Sequence, residues 1–210
     1  MQGLYLVTPN WDDTVQLLKI TGQALSARPG AIAALQYRHK TANPELRMEQ
    51  AGALMEICRH HRVPFIVNDH VDLCMVLDAD GVHLGGTDTP LASVRKLLGP
   101  DKIIGASCYG DMHRALDAQA AGASYVAFGG FYPSRVKQYA VTTPPAILDQ
   151  ASEVIRIPTV VIGGMTPANA APLVTRGARM VAAISSVYMD SDPAAAVANF
   201  AALFRRPENP

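Results

Sequence analysis

Long apolar runs are scarce in this chain. None of its 210 residues belongs to a stretch approaching the roughly 18 consecutive apolar residues of a membrane-spanning helix, so no span is expected. Charge of one sign is missing as well. Its 18 Lys and Arg balance 18 Asp and Glu, which removes the electrostatic footprint of a nucleic-acid binder or of a protein drawn to an anionic membrane. Cysteine is sparse. Cys58, Cys74 and Cys108 have neither metal-ligand spacing nor an even count. They read as small buried residues of a protein kept in a reducing compartment, the cytoplasm. The opening Met1-Gln2-Gly3-Leu4-Tyr5 lacks a charged start and a long apolar core and does not read as a signal peptide. There is no Gly-x-Gly-x-x-Gly turn, no linker and no low-complexity segment. One domain over residues 1–204 with a short tail at 205–210 is the expected organisation.

What the sequence does have is a regular beat. Short apolar runs at residues 4–7, 32–36, 64–67, 82–84, 103–107, 125–128, 159–162 and 180–184 alternate with helical stretches. The runs are nearly continuous in apolar residues, as parallel strands covered on both faces should be. Helix starts are marked by Asp12-Asp13 and Asn43-Pro44, and stops by Gly99, Gly122 and Gly177. The second helix is expected to face inward through Leu46, Ala53, Leu54 and Ile57, and the last to cover 193–204. Eight strand–helix units predict an α/β fold, a single closed (β/α)₈ TIM barrel, whose chemistry belongs at the C-terminal strand ends.

Those ends carry matching chemistry. Gln36, Arg38 and Lys40 alternate along an extended segment and so fall on one side of it. Asn68 and Asp69 end the third strand, and Asp88 follows the fourth. A strand–helix–strand unit brings Asp69 and Asp88 to one mouth, where two carboxylates suit a hard cation such as Mg²⁺. The alternative is that each caps the helix after it. Ser107 ends the fifth strand. Ser134, Arg135 and Lys137 follow the sixth, Gly163-Gly164 the seventh, and Ile184-Ser185-Ser186 the eighth. Cations beside carboxylates suit a metal-bound polyphosphate, and a glycine pair lets backbone N–H groups approach a second anion. A pyrophosphate subsite near strands two to five and a monophosphate subsite near strands six to eight are expected. His83 reads as barrel lining. Cys108 and Tyr109 read equally as mouth or as packing.

This ordered set resembles the thiamine phosphate synthases. The likeness rests on Gln36-Tyr37-Arg38-His39-Lys40, Val67-Asn68-Asp69, Gly81-Val82-His83-Leu84-Gly85 with Asp88, Gly105-Ala106-Ser107, Phe128-Gly129 with Pro133-Ser134 and Lys137, Ile162-Gly163-Gly164, and Ile184-Ser185. The resemblance implies a transferase that joins 4-amino-2-methyl-5-hydroxymethylpyrimidine diphosphate to a thiazole phosphate, with or without a ring carboxylate. Its products are thiamine phosphate and pyrophosphate. It implies that Gln36, Tyr37, Arg38, His39, Lys40, Asn68, Ser107 and Lys137 hold the pyrimidine diphosphate, with Arg38, Lys40, Ser107 and Lys137 acting in catalysis. Ser134, Arg135, Val136, Gly164, Ile184 and Ser185 then face the thiazole phosphate, and Asp69 and Asp88 hold Mg²⁺. Val136 stands where the family usually has threonine, Tyr109 where it has histidine, and Gly86 where it often has glutamine. A related thiazole tautomerase shares the barrel but would not need Arg38, Lys40, Asp69 and Asp88 together. A non-catalytic binder of thiamine precursors would need fewer charges still.

Overall fold

The computed structural model describes residues 1–85, 90–133 and 143–205. Eight parallel strands close into a barrel in sequence order. They are β1 (Gly3–Val7), β2 (Ile32–Tyr37), β3 (Phe65–Asn68), β4 (Gly81–Leu84), β5 (Ile103–Tyr109), β6 (Tyr125–Gly129), β7 (Thr159–Ile162) and β8 (Met180–Ala183). Around them lie α1 (Thr14–Ser26), α2 (Pro44–His61), α3 (Val71–Leu77), α4 (Leu91–Leu98), α5 (Met112–Ala120), α6 (Ile147–Val154), α7 (Pro167–Thr175), α8 (Ser185–Tyr188) and α9 (Pro193–Ala202). The expected TIM barrel is therefore the fold.

The helix boundaries follow from side chains that satisfy orphan backbone donors. The Asp13 carboxylate accepts from the Gln16 N–H at 2.9 Å, and Asn43 Oδ1 from Leu46 N–H at 2.8 Å, with Pro44 next in line. Thr166 and Asn169 exchange bonds reciprocally, which starts α7 at Pro167. Two details differ from expectation. The buried face of α2 is Gln50, Ala51, Leu54, Met55 and Cys58; of the expected stripe Leu54 is buried and Ile57 packs half-buried against the core, whereas Leu46 and Ala53 are not part of the buried face. A polar residue disguised that face: Gln50 is fully buried because it accepts from the Tyr37 hydroxyl and donates to the Trp11 carbonyl. The single turn α8 was not expected either, since four residues are too few to show a helical period.

Alternation along each strand splits the buried residues into two cores. Leu4, Leu6, Leu35, Phe65 and Val67 face the helices, whereas Tyr5, Val7, Ala34, Ile66, Tyr125, Val160 and Met180 fill the barrel. Interior volume is matched across neighbouring strands. The Tyr125 ring lies where a side chain on Gly105 would be, and a Cβ there would sit 2.0 Å from Tyr125 Cζ. Gly105→Ala must therefore displace the ring. We expect it to cost about 1–3 kcal/mol, the range for overpacking a tight core, read by denaturant unfolding. A loss under about 0.5 kcal/mol, the scatter of surface substitutions, would show that the ring has room to move.

The three cysteines are free and buried. Burial pushes the thiols of Cys58 and Cys108 from 9.0 up to about 12, and that of Cys74 up to about 11. A thiol that stays protonated longer in the folded state contributes stability in full below its unfolded value and loses it as pH rises toward the folded one. The melting temperature should thus fall steadily from pH 9 to pH 12. A flat profile across that window would contradict the burial of these groups.

Candidate active site

The barrel mouth at the C-terminal strand ends is a cavity open to solvent, to which all eight strands contribute. Its floor is polar. Gln36 Nε2 donates to the Tyr5 hydroxyl at 3.0 Å, which lies 2.6 Å from the Tyr125 hydroxyl. Tyr125 Oη is 2.9 Å from His83 Nδ1, and His83 Nε2 is 2.9 Å from Ser107 Oγ. This chain of contacts crosses β2, β1, β6, β4 and β5. Burial raises the pKa of both tyrosines, so both phenols remain protonated at neutral pH.

Above the floor, the period of two sorts the β2 segment. Gln36 and Arg38 line the mouth, both buried. Thr8 holds the Arg38 backbone in place: its hydroxyl accepts from Arg38 N–H at 2.8 Å and donates to Arg38 C=O at 3.2 Å. Lys40 Nζ lies 3.6 Å from Asp69 Oδ2, and Lys40 N–H donates to Asn10 Oδ1 at 3.3 Å. Two residues of the expected set point the other way, as alternation demands. The Tyr37 hydroxyl is spent on Gln50 behind the barrel wall. The His39 ring is buried with Nε2 at 3.0 Å from Asp12 Oδ1. Neither side chain reaches the cavity, which corrects the expectation that they contact substrate.

Asp69 has φ 65°, in the left-handed region that Asp and Asn enter more readily than most residues. Its N–H donates to His83 C=O at 2.9 Å. Its Oδ2 accepts from Asn68 Nδ2 at 2.6 Å. The residue preceding α3 is His70, and no side chain caps that helix. The helix-capping alternative therefore fails for Asp69, whose carboxylate is engaged by Asn68 and Lys40 instead. Asp88 lies outside the described residues, as do Ser134, Arg135, Val136 and Lys137.

On β5 the pairing with β6 shifts register between Ser107 and Tyr109. Ser107 and Tyr109, two residues apart, both line the mouth, while Cys108 between them turns into the outer core. Tyr109 has φ 53°, and the Arg114 guanidinium sits 5.5 Å from its ring centre. Across the mouth, Gly163 and Gly164 have φ 117° and 58°. A Cβ on Gly164 would sit 2.2 Å from Pro133 O, so only glycine fits. Asn169 Nδ2 donates to Gly164 C=O at 2.9 Å. Ile184 lines the cavity, and Ser185 opens α8. Four contributors escaped the sequence reading: Thr8, Asn10, Tyr5 and Tyr125. The two tyrosines left a clue, since a phenol inside a buried strand needs a hydrogen-bond partner.

A family profile described as thiamine monophosphate synthase matches residues 4–187. The thiamine-phosphate synthase of Janthinobacterium sp. (strain Marseille) is 59% identical over 206 residues, covering 98% of each chain. That of Nitrosomonas eutropha (strain DSM 101675 / C91 / Nm57) is 42% identical over 204 residues, covering 97% of this chain and 95% of the other. Among solved structures, the thiamine phosphate pyrophosphorylase from Pyrococcus furiosus superposes with a TM-score of 0.83 at 30% identity, covering 96% of this chain and 95% of that one. A 3-hexulose-6-phosphate synthase, at TM-score 0.70 and 18% identity, covers 98% of this chain and all of its own and shares the fold alone. With a profile matched over most of its length, this chain belongs to the thiamine monophosphate synthase family.

Proposed function

We infer that this chain joins the pyrimidine diphosphate to the thiazole phosphate, giving thiamine phosphate and pyrophosphate, with diphosphate leaving before the thiazole attacks. The observation that carries this reading is the buried Arg38 aimed into a mouth whose rim holds the Lys40–Asp69 pair. A thiazole tautomerase or a passive binder has no use for that charge arrangement.

In this mechanism the C–O bond from the exocyclic methylene to diphosphate breaks first, and its electron pair goes to the diphosphate oxygen. The amino group of the pyrimidine delocalises the positive charge left on the methylene. Arg38, Lys40, Ser107 and Lys137 stabilise the charge that builds on the leaving group. Gln36 and Asn68 hold the ring. The thiazole nitrogen then donates its lone pair to the methylene carbon. Ser134, Arg135, Val136, Gly164, Ile184 and Ser185 position it through its phosphate. The protein supplies no nucleophile.

Asp69 fits a Mg²⁺ ligand. Its carboxylate is not used as a helix cap and takes both of its described side-chain contacts, from Asn68 and Lys40, on Oδ2. Among the described residues no cluster of three His, Cys, Asp or Glu forms a metal cage. Mg²⁺ needs none, since it is bound through one or two carboxylates with phosphate oxygens and waters. Asp69 and Asp88 would hold it, and when bound it would screen the diphosphate charge. The free thiols suit the reducing cytoplasm. Among the described residues no helix is long and apolar enough to cross a membrane.

Three outcomes test this reading. Asp69→Asn keeps a residue that tolerates positive φ, so the fold and melting temperature should persist while turnover drops about 100-fold or more, the scale of losing a main charge stabiliser. EDTA should abolish turnover and added Mg²⁺ restore it. Full activity in EDTA would remove the metal from the account. Arg38→Ala should lower kcat by about 100-fold and change the KM for the pyrimidine diphosphate far less, because its charge matters most as diphosphate departs. A raised KM at unchanged kcat would mean that Arg38 provides uniform binding.

A further inference from the structure

The floor of the mouth is a directional hydrogen-bond chain, and its direction can be worked out. The Gln36 amide donates to Tyr5, and both phenols keep their protons. With Tyr5 accepting from Gln36, its own hydrogen needs an acceptor. Among the described residues the only oxygen placed to take it is that of Tyr125, 2.6 Å away. Tyr125 must then give its hydrogen to His83 Nδ1. A neutral imidazole that accepts at Nδ1 carries its hydrogen on Nε2, and donates it to Ser107 Oγ at 2.9 Å. The Ser107 oxygen is thus occupied as an acceptor. Its own hydrogen is turned to the mouth, which Ser107 lines. The reverse direction would leave the Tyr5 hydrogen buried without an acceptor and would draw the Ser107 hydrogen onto His83, away from substrate.

We propose that Tyr125 and His83 are positioning residues that fix Ser107 as a hydrogen-bond donor toward the departing diphosphate, with His83 held as its Nε2–H tautomer by the Tyr5–Tyr125 pair. This rests on the reading above that Ser107 faces the diphosphate. The geometry adds a reason for the depth of the tyrosines. A hydroxyl rotor at the mouth could otherwise turn its hydrogen either way. An anion gains from it only when the hydrogen points outward, and the chain sets that orientation before substrate arrives.

The test needs one spectrum and one mutant cycle. In ¹⁵N-histidine-labelled protein, with His83 assigned by difference against His83→Gln, the two ring nitrogens should report hydrogen on Nε2. In kinetics, Tyr125→Phe removes the donor to Nδ1 and lets the ring take either tautomer. It should lower kcat about fivefold to tenfold, the scale of one misdirected hydrogen bond, with the KM for pyrimidine diphosphate changed less than about twofold. In a Ser107→Ala background the same change should lower kcat by less than about twofold, since the hydroxyl it orients is gone. His83→Gln, which can present an amide N–H to Ser107, should retain more activity than His83→Leu. Hydrogen on Nδ1 in the spectrum overturns the proposal without requiring any variant to fold. So does a folded Tyr125→Phe enzyme that turns over at the wild-type kcat while Ser107→Ala is slow. Ser107→Ala at full kcat would instead remove the diphosphate reading beneath it, and the proposal with it.

Discussion

The bond between the hydroxyls of Tyr5 and Tyr125, 2.6 Å long and joining residues 120 apart in sequence, is the contact on which the rest of the barrel interior is arranged. Two fully buried phenols inside a parallel barrel must find partners, because burying a hydroxyl without one costs as much as the hydrogen bond is worth. They find each other first. Tyr125 then needs space, which Gly105 leaves, and a further partner, which His83 provides. The interior residues that do not line the cavity, Ala34, Ile66 and Met180, are apolar. The phenol pair, in the floor of the cavity, therefore marks the boundary between packed core and reactive mouth.

Backbone strain is concentrated at the same level. Four non-glycine residues among those described have positive φ. Arg62 and Asp78 end helices, where the left-handed conformation is ordinary and the backbone N–H is satisfied. Asp69 and Tyr109 have no such excuse. Asp69 directly follows β3 and Tyr109 ends β5, where the strands give way to the loops of the mouth. Such conformations persist only where surroundings fix them. Here the bond from Asp69 N–H to the β4 carbonyl of His83 and the register shift beside Tyr109 do so. The clamps from Thr8 and Asn10 do comparable work on the β2 tip without strain.

The barrel was legible because its determinants are local. Apolar runs of three to five residues, capping residues and stop glycines each act within one element. The eight elements closed as the count implied. The mouth was legible in its charges for the same reason: alternation along β2 separates Gln36 and Arg38 from Tyr37 and His39. The family motif alone had merged all five, and only the period of two tells them apart. What stayed hidden was every choice made across strands. Gln50 looks like a surface residue until Tyr37 and Trp11 are placed beside it. Tyr5 and Tyr125 look like core until their hydroxyls meet. The register shift at Cys108 has no local mark, because it depends on how β6 pairs.

The account turns on the proposal of a mouth built for a metal-bound diphosphate, with Asp69 as the proposed ligand and the buried Arg38 as the counter-charge. The most direct measurement is calorimetric titration of inorganic pyrophosphate into the protein, with Mg²⁺ and with EDTA, for wild type and Asp69→Asn. The account predicts tight binding to the wild type only with Mg²⁺, lost in Asp69→Asn while thiazole phosphate still binds. Pyrophosphate that binds equally well in EDTA, or to Asp69→Asn, would contradict it.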